Sequence, residues 1–194
     1  MGKKIKITIA IVLMVLSIPL CTRWFSTVKY YFSDEGKQAT SSLKYRVTAK
    51  TAEVTGIEEN CKSETIIIPE KAICYGYLCT VTSIGNHAFY GCSEIKSVKI
   101  PSSVKKIGRG AFSGCSGLTS LKIPMSVREI GDEAFKDCIG LTSVEIPTSV
   151  KKIGTSAFEN CYNLDIVIDN RESNVSVEEN AFYGCKSVTW KEDM

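Results

Sequence analysis

The chain has 194 residues, 44% of them hydrophobic and 23% charged, an ordinary globular mixture that excludes a disordered or collagen-like polymer. Its 24 basic against 21 acidic residues look mildly cationic, but Lys3, Lys4, Lys6 and Arg23 flank an N-terminal apolar run, so residues 24–194 carry 20 against 21 and show no nucleic-acid footprint. His87 is the only histidine, which leaves Ser-His or Cys-His catalysis and histidine-rich metal sites a single donor; neither enzyme activity nor a cofactor is expected.

The first element is an uncharged run from Ile7 to Thr22, closed by Arg23, with the layout of an export signal. As a helix its sixteen residues would extend about 24 Å, short of a ~30 Å hydrocarbon core unless Lys6 and Arg23 snorkel. Length favours a cleaved signal peptide. The poor small-x-small sites and the aromatics Trp24, Phe25, Tyr30, Tyr31 and Phe32 favour an uncleaved membrane anchor. Both readings stand for residues 1–23, and either sends the chain out of the cytoplasm, to the cell surface or the medium. Residues 24–42 follow as a juxtamembrane spacer that ends small and polar.

From residue 84 onward a 23-residue repeat governs the sequence. Ile84-Gly85, Ala88-Phe89 and Cys92 recur as Ile107-Gly108, Ala111-Phe112 and Cys115, then Ile130-Gly131, Ala134-Phe135 and Cys138, then Ile153-Gly154, Ala157-Phe158 and Cys161. A fifth copy, Val177, Ala181-Phe182 and Cys185, arrives after 24 residues with Glu178 in place of glycine. Ile95 to Pro101, Leu118 to Pro124 and Leu141 to Pro147 read as short strands, each ended by proline, with alternate side chains inward. A 23-residue unit buries too little to stand alone, so the copies must stack into a solenoid with a parallel sheet on one face. The segment Ser103 to Gly108 then forms the return, Ala-Phe a short helical or 3-10 turn, and the phenylalanines a central column.

The signature I-G-x-x-A-F-x-x-C-x-x-L-x-x-V-x-I-P, nearly complete three times between Ile84 and Pro147, resembles the BspA-type leucine-rich repeats of bacterial and protist surface proteins. A fourth copy departs at Leu164 to Asp169, where one strand residue is missing. By this resemblance residues 43–83 form an N-terminal cap and 84–194 the repeats. It implies an α/β right-handed solenoid that serves adhesion or host-protein binding, although fold alone does not fix function.

Cys92, Cys115, Cys138, Cys161 and Cys185 share one repeat position and are read as a stacked column of buried free thiols; zinc would need pairs converging from separate loops. A disulfide is allowed in the cap, with Cys61, Cys74 and Cys79 as candidates. Lys105-Lys106, Arg128-Glu129 and Lys151-Lys152 read as a solvated basic rim on the return edge, with a polyanion site the competing reading. The outward strand positions Lys96, Lys99, Thr119, Ser120, Lys122, Thr142, Ser143, Glu145 and Asp165 form a polar lane grading from basic to acidic, the candidate ligand surface. Trp190 is read as outward on the last rung, a cover for the open end or an anchor for a partner. The expected partner is a protein or glycan of a host or neighbouring cell; self-association through the last rung, as a structural envelope protein or spacer, is the rival.

Overall fold

The computed structural model describes residues 26–27, 43–48, 50–57, 63–74, 77–169 and 174–191. The expectations for the apolar run and the spacer therefore fall outside the described residues, apart from the two-residue strand β1, Ser26–Thr27. Among the described residues no helix is long and apolar enough to cross a membrane.

The repeats do stack. The return segment of each later copy forms one short strand: β8 Lys106–Ile107, β10 Glu129–Ile130, β12 Lys152–Ile153 and β14 Ser176–Val177. These pair in parallel, Ile84 to Ile107 to Ile130 to Ile153 to Val177, so each rung repeats the register of the last. The L-x-x-V-x-I-P segments form a second side. There β4 Thr65–Ile67, β7 Ser97–Lys99 and β9 Ser120–Leu121 make one three-stranded sheet. A second contains β11 Ser143–Ile146, β13 Asp165–Ile168 and β15 Ser187–Trp190. The expected single sheet on one face is thus corrected to two strand-bearing sides. The longer ladder is the return edge, whose two-residue strands keep one register from coil to coil.

The third side corrects the expected helical or 3-10 turns. Each coil here is a chain of tight turns with essentially no helix. Turn bonds such as Cys92 N to Phe89 O (3.2 Å) and Tyr90 N to His87 O (3.2 Å) do form. Between them, however, the chain repeatedly enters the left-handed region, at His87, Gly110, Glu133, Ser156 and Asn180 and again at Gly91, Gly114, Asp137, Asn160 and Gly184. A positive φ every few residues stops helix propagation. The remaining amides are bonded to the next coil instead: Phe89 N to Ala111 O, Phe112 N to Ala134 O, Phe135 N to Ala157 O and Phe158 N to Ala181 O, at 2.7–2.8 Å. The turn side is therefore a ladder in its own right.

Inside runs the aromatic column that the period predicts. Phe89, Phe112, Phe135 and Phe158 are fully buried. Their ring centroids are 5.1, 5.3 and 5.1 Å apart with interplanar angles of 10°, 4° and 13°. The spacing follows from the coil rise of about 4.8 Å rather than from any preference of face-to-face rings. One contiguous apolar core extends from Leu43 to Ala181.

At the N-terminal end β2 Leu43–Thr48 and β3 Thr51–Ile57 form an antiparallel hairpin. Through β3 it joins, in parallel, β6 Tyr77–Ile84 and so the return-edge ladder. Strand β5, Lys71–Cys74, folds back antiparallel on β6. At the other end the missing strand residue is visible as a change of register. Ser97 pairs with Ser120 at the full period, whereas Ser143 pairs with Asp165, one residue short of it.

Candidate functional site

The outward lane is built by the two three-stranded sheets. Ser97 stands beside Ser120, and Ser143 beside Asp165 and then Ser187, so strand pairing produces a column of small polar side chains. Lys99, Lys122 and Glu145 occupy the neighbouring outward position, each exposed, while Val98, Leu121 and Val144 between the columns point into the core. Lys96, Thr119 and Thr142 border the lane and are exposed as well. Because each backbone is held by strand pairing, the groups start from fixed backbone positions and only side-chain freedom is left to lose on binding.

Its electrostatics differ from a simple basic-to-acidic gradient. Lys96 Nζ contacts Glu64 Oε1 at 2.6 Å, Lys186 Nζ contacts Asp165 Oδ2 at 2.7 Å, and Lys191 Nζ contacts Glu145 Oε1 at 2.6 Å. The hydrogen bond from Lys191 holds the Glu145 carboxyl below its ordinary range, and those from Lys186 and Ser187 do the same for Asp165. Among the described residues, Lys99 and Lys122 stand in no ion pair. Three members of the predicted lane are thus neutralised by the chain itself, and two cations one coil apart remain for a ligand. Sequence reading missed Glu64, Lys186 and Lys191 because the last pairs across 46 positions, two coils away.

Trp190 is not on this lane. It pairs with Ile168, a fully buried core position, and packs partly against the core beside Phe182, Cys185 and Val188. The last strand starts too soon after its cysteine: Val188, three residues past Cys185, pairs with Ile166, five past Cys161, and the alternation turns the indole inward. Val175, Val177, Phe182, Val188 and Trp190 line an open cavity of about 490 Å³ there.

The cysteine column forms as expected from Cys115 onward, and its thiols donate to the phenylalanine carbonyls of the preceding coil. Cys115, Cys138 and Cys161 reach Phe89 O, Phe112 O and Phe135 O at 3.1 Å, and Cys185 reaches Phe158 O at 3.2 Å. Burial pushes Cys115 and Cys161 up to about 12 and Cys185 to about 11, and raises Cys138 further still. Such thiols are inert at neutral pH. Cys92 is the correction: it is disulfide-bonded, at the junction where the coil beneath is not a copy of the 23-residue unit. Cys79, a candidate for the cap disulfide, is a buried free thiol inside β6. Cys61 and the Cys74 side chain lie outside the described residues. Among the described residues no three of His, Cys, Asp and Glu converge on a metal-sized site.

His87 is exposed, with φ 55° and its ring edge-on to Tyr90 at 5.7 Å. Asp132 and Glu133, the adjacent carboxylates, are spent locally. Asp132 Oδ1 accepts from Thr155 N at 3.0 Å and Glu133 meets Arg109 Nη2 at 3.3 Å.

Coils of 23 residues, each with an inward isoleucine, phenylalanine, cysteine and leucine and bonded on every side to the next, define a leucine-rich-repeat solenoid. The family model of the BspA type leucine rich repeat region matches in six copies over residues 57–189, and the chain belongs to that family. Its first copy thus begins within the segment read as cap, whose Thr65–Ile67 strand indeed supplies a rung. Among solved structures the chain is similar to a leucine-rich repeat protein of T. pallidum, with 28% identity, a TM-score of 0.66, and 76% of this chain and 66% of that one covered. A leucine-rich repeat protein of Bacteroides ovatus gives 32% identity and a TM-score of 0.67 over 78% of this chain and 40% of the other. A leucine-rich cell surface protein of Faecalibacterium prausnitzii gives 29% and 0.58 over 78% and 50%. The chain thus spans two thirds or less of the length of each of the three. No curated protein matches.

Proposed function

We infer that the protein is an exported, non-catalytic recognition module that binds a protein or glycan of another cell through the outward lane. The observation that carries this reading is the pairing pattern. Lys96, Glu145 and Asp165 are satisfied within the chain, while Lys99 and Lys122, in no ion pair among the described residues, project beside the hydroxyls of Ser97, Ser120 and Ser143. Family membership and the likeness to a cell surface protein of F. prausnitzii support an exposed setting, with the apolar N-terminal run as signal or tether. The test is charge reversal. Lys99→Glu with Lys122→Glu abolishes binding to arrayed extracellular proteins and uncharged glycans, and Lys105→Glu with Lys151→Glu leaves those contacts intact. Equal loss from both pairs sinks the assignment. Protease shaving of intact cells, followed by N-terminal sequencing of the released fragment, tests export and anchoring together.

A second reading is favoured by the cavity around Trp190. The β2–β3 hairpin adds its strands to the first coil, whereas Phe182, Val188 and Trp190 remain half-open at the last. Closed contact between two such ends is isologous. Trp190→Ala shifting a concentration-dependent dimer to monomer in sedimentation supports it, and a wild-type monomer at all concentrations removes it.

A further inference from the structure

The return edge carries charge that neither the fold nor the lane uses. Backbone bonds place Lys105, Arg128 and Lys151 directly above one another: Arg128 N donates to Lys105 O and Lys151 N to Arg128 O, both at 2.8 Å. All three are exposed, and among the described residues none is in an ion pair. The column is bounded by Thr82, whose carbonyl accepts from Lys105 N, and by Val175, which precedes the Ser176 amide bonded to Lys151 O. In the adjacent column Lys106 takes up Glu129 at 2.9 Å and Lys152 meets Glu178 at 3.8 Å, so the one acid amid these strands is already engaged.

The segregation is marked. The strand segments Lys105–Ile107, Arg128–Ile130 and Lys151–Ile153 carry five cations and one carboxylate, Glu129, with Glu178 of the following coil against Lys152; the remaining residues after Arg23 outside these segments carry 15 cations against 20 acids. Like charges on side chains rooted one coil apart, about 4.8 Å at the backbone, repel one another. Nothing in the coil geometry demands them, since the corresponding site is Thr82 in the coil before. Arg128 is also tethered: its Nη1 donates to Ser149 O at 3.2 Å, and among the described residues its other guanidinium N–H groups have no partner.

We propose that Lys105, Arg128 and Lys151 bind an anionic polysaccharide lying along the solenoid axis, one acidic group per coil. The shape of the charge selects this occupant. The site is one residue wide and three coils long, with the engaged Glu129 beside its centre, so it offers a line of positive potential rather than the broad field that an anionic membrane or a nucleic-acid duplex meets. One coil rise is close to the length of one sugar in an extended chain, so acidic groups recurring along such a chain come within reach of the long side chains of the three cations.

The test uses the full chain with polygalacturonate and heparin as probes, neutral dextran as a blank, and phosphatidylglycerol vesicles and duplex DNA as competitors. Expected are binding to both acidic polysaccharides that weakens as salt rises, no binding to dextran, and a loss of about tenfold or more for Lys105→Glu/Arg128→Glu/Lys151→Glu. Lys99→Glu/Lys122→Glu, on the other strand-bearing side, keeps polysaccharide binding and so separates this site from the lane. Lys105→Ala/Lys151→Ala, with an unchanged unfolding midpoint, reports a graded loss should the triple reversal perturb folding. Equal loss from the lane variant overturns the proposal, as do vesicles or DNA that bind more tightly than the polysaccharides.

Discussion

The middle coils and the last coil are built from nearly the same sequence yet differ in how well they are held. From Phe89 to Phe158 the rings stack at 5.1–5.3 Å and tilt by 13° at most; the last step, Phe158 to Phe182, is 6.1 Å with a 24° tilt. Phe135, Cys138, Leu141 and Ile153 are fully buried, while Phe182, Cys185 and Val188 are half-open and Val177 is exposed. The last copy also has a 24-residue period and Glu178 where the others have glycine. A coil, then, acquires its geometry from neighbours above and below. Among the described residues the last coil has a neighbour on one side only, and its side chains settle less tightly.

The largest test of that difference is truncation of the spine. Phe135→Ala is expected to cost about 3–5 kcal/mol in chemical denaturation, and Phe182→Ala, half-open already, clearly less. Equal costs would mean that both coils are held alike. Glycine comes next. A Cβ on Gly131 would sit 2.8 Å from both Arg109 N and Gly108 C, backbone atoms of the coil below that cannot swing aside. Gly131→Ala is therefore expected to cost on the order of 1–3 kcal/mol, and Glu178→Ala, at the equivalent place in the last coil, only a few tenths.

The thiol column sharpens the comparison by pH. Burial raises the folded-state values of Cys115 and Cys161 from 9.0 to about 12, and that of Cys185 only to about 11. Above pH 9 the unfolded chain releases these protons and the folded one keeps them, so the stabilisation present below pH 9 is lost as the pH climbs toward 12. Denaturation midpoints should fall across that window, and Cys115→Ala should remove more of the alkaline slope than Cys185→Ala. Lys136→Met is a small perturbation within the middle coils: its half-buried pair with Glu159, 2.8 Å, should be worth no more than about 1 kcal/mol, read as a midpoint shift that shrinks in salt.

Much of this was legible beforehand because a fixed period converts sequence position into height. The phenylalanine column, the thiol column from Cys115 on, and the shortened strand at Leu164 to Asp169 all follow from aligning copies. What was misread depends on partners in other coils. Ala88-Phe89 with Cys92 at short spacing suits a helical turn as well as a chain of tight turns, and what decides is that Phe89 N finds Ala111 O in the following coil. The state of Cys92, the inward turn of Trp190 and the engagement of Glu145 by Lys191 are likewise set between coils, by register rather than by local pattern.

One corner of the molecule shows how much length a coil tolerates. Thr65 pairs with Ser97 across 32 positions and Ser97 with Ser120 across 23, yet all three occupy consecutive rungs. The nine surplus residues lie between Pro69 and Ser83, where β5 folds back antiparallel on β6, with Ala72, Cys79 and Val81 buried and Tyr77 and Leu78 exposed. The bend after each strand proline is thus a natural graft point. Foreign peptides inserted after Pro124 or Pro147 should be displayed there while the rungs on either side keep their pairing.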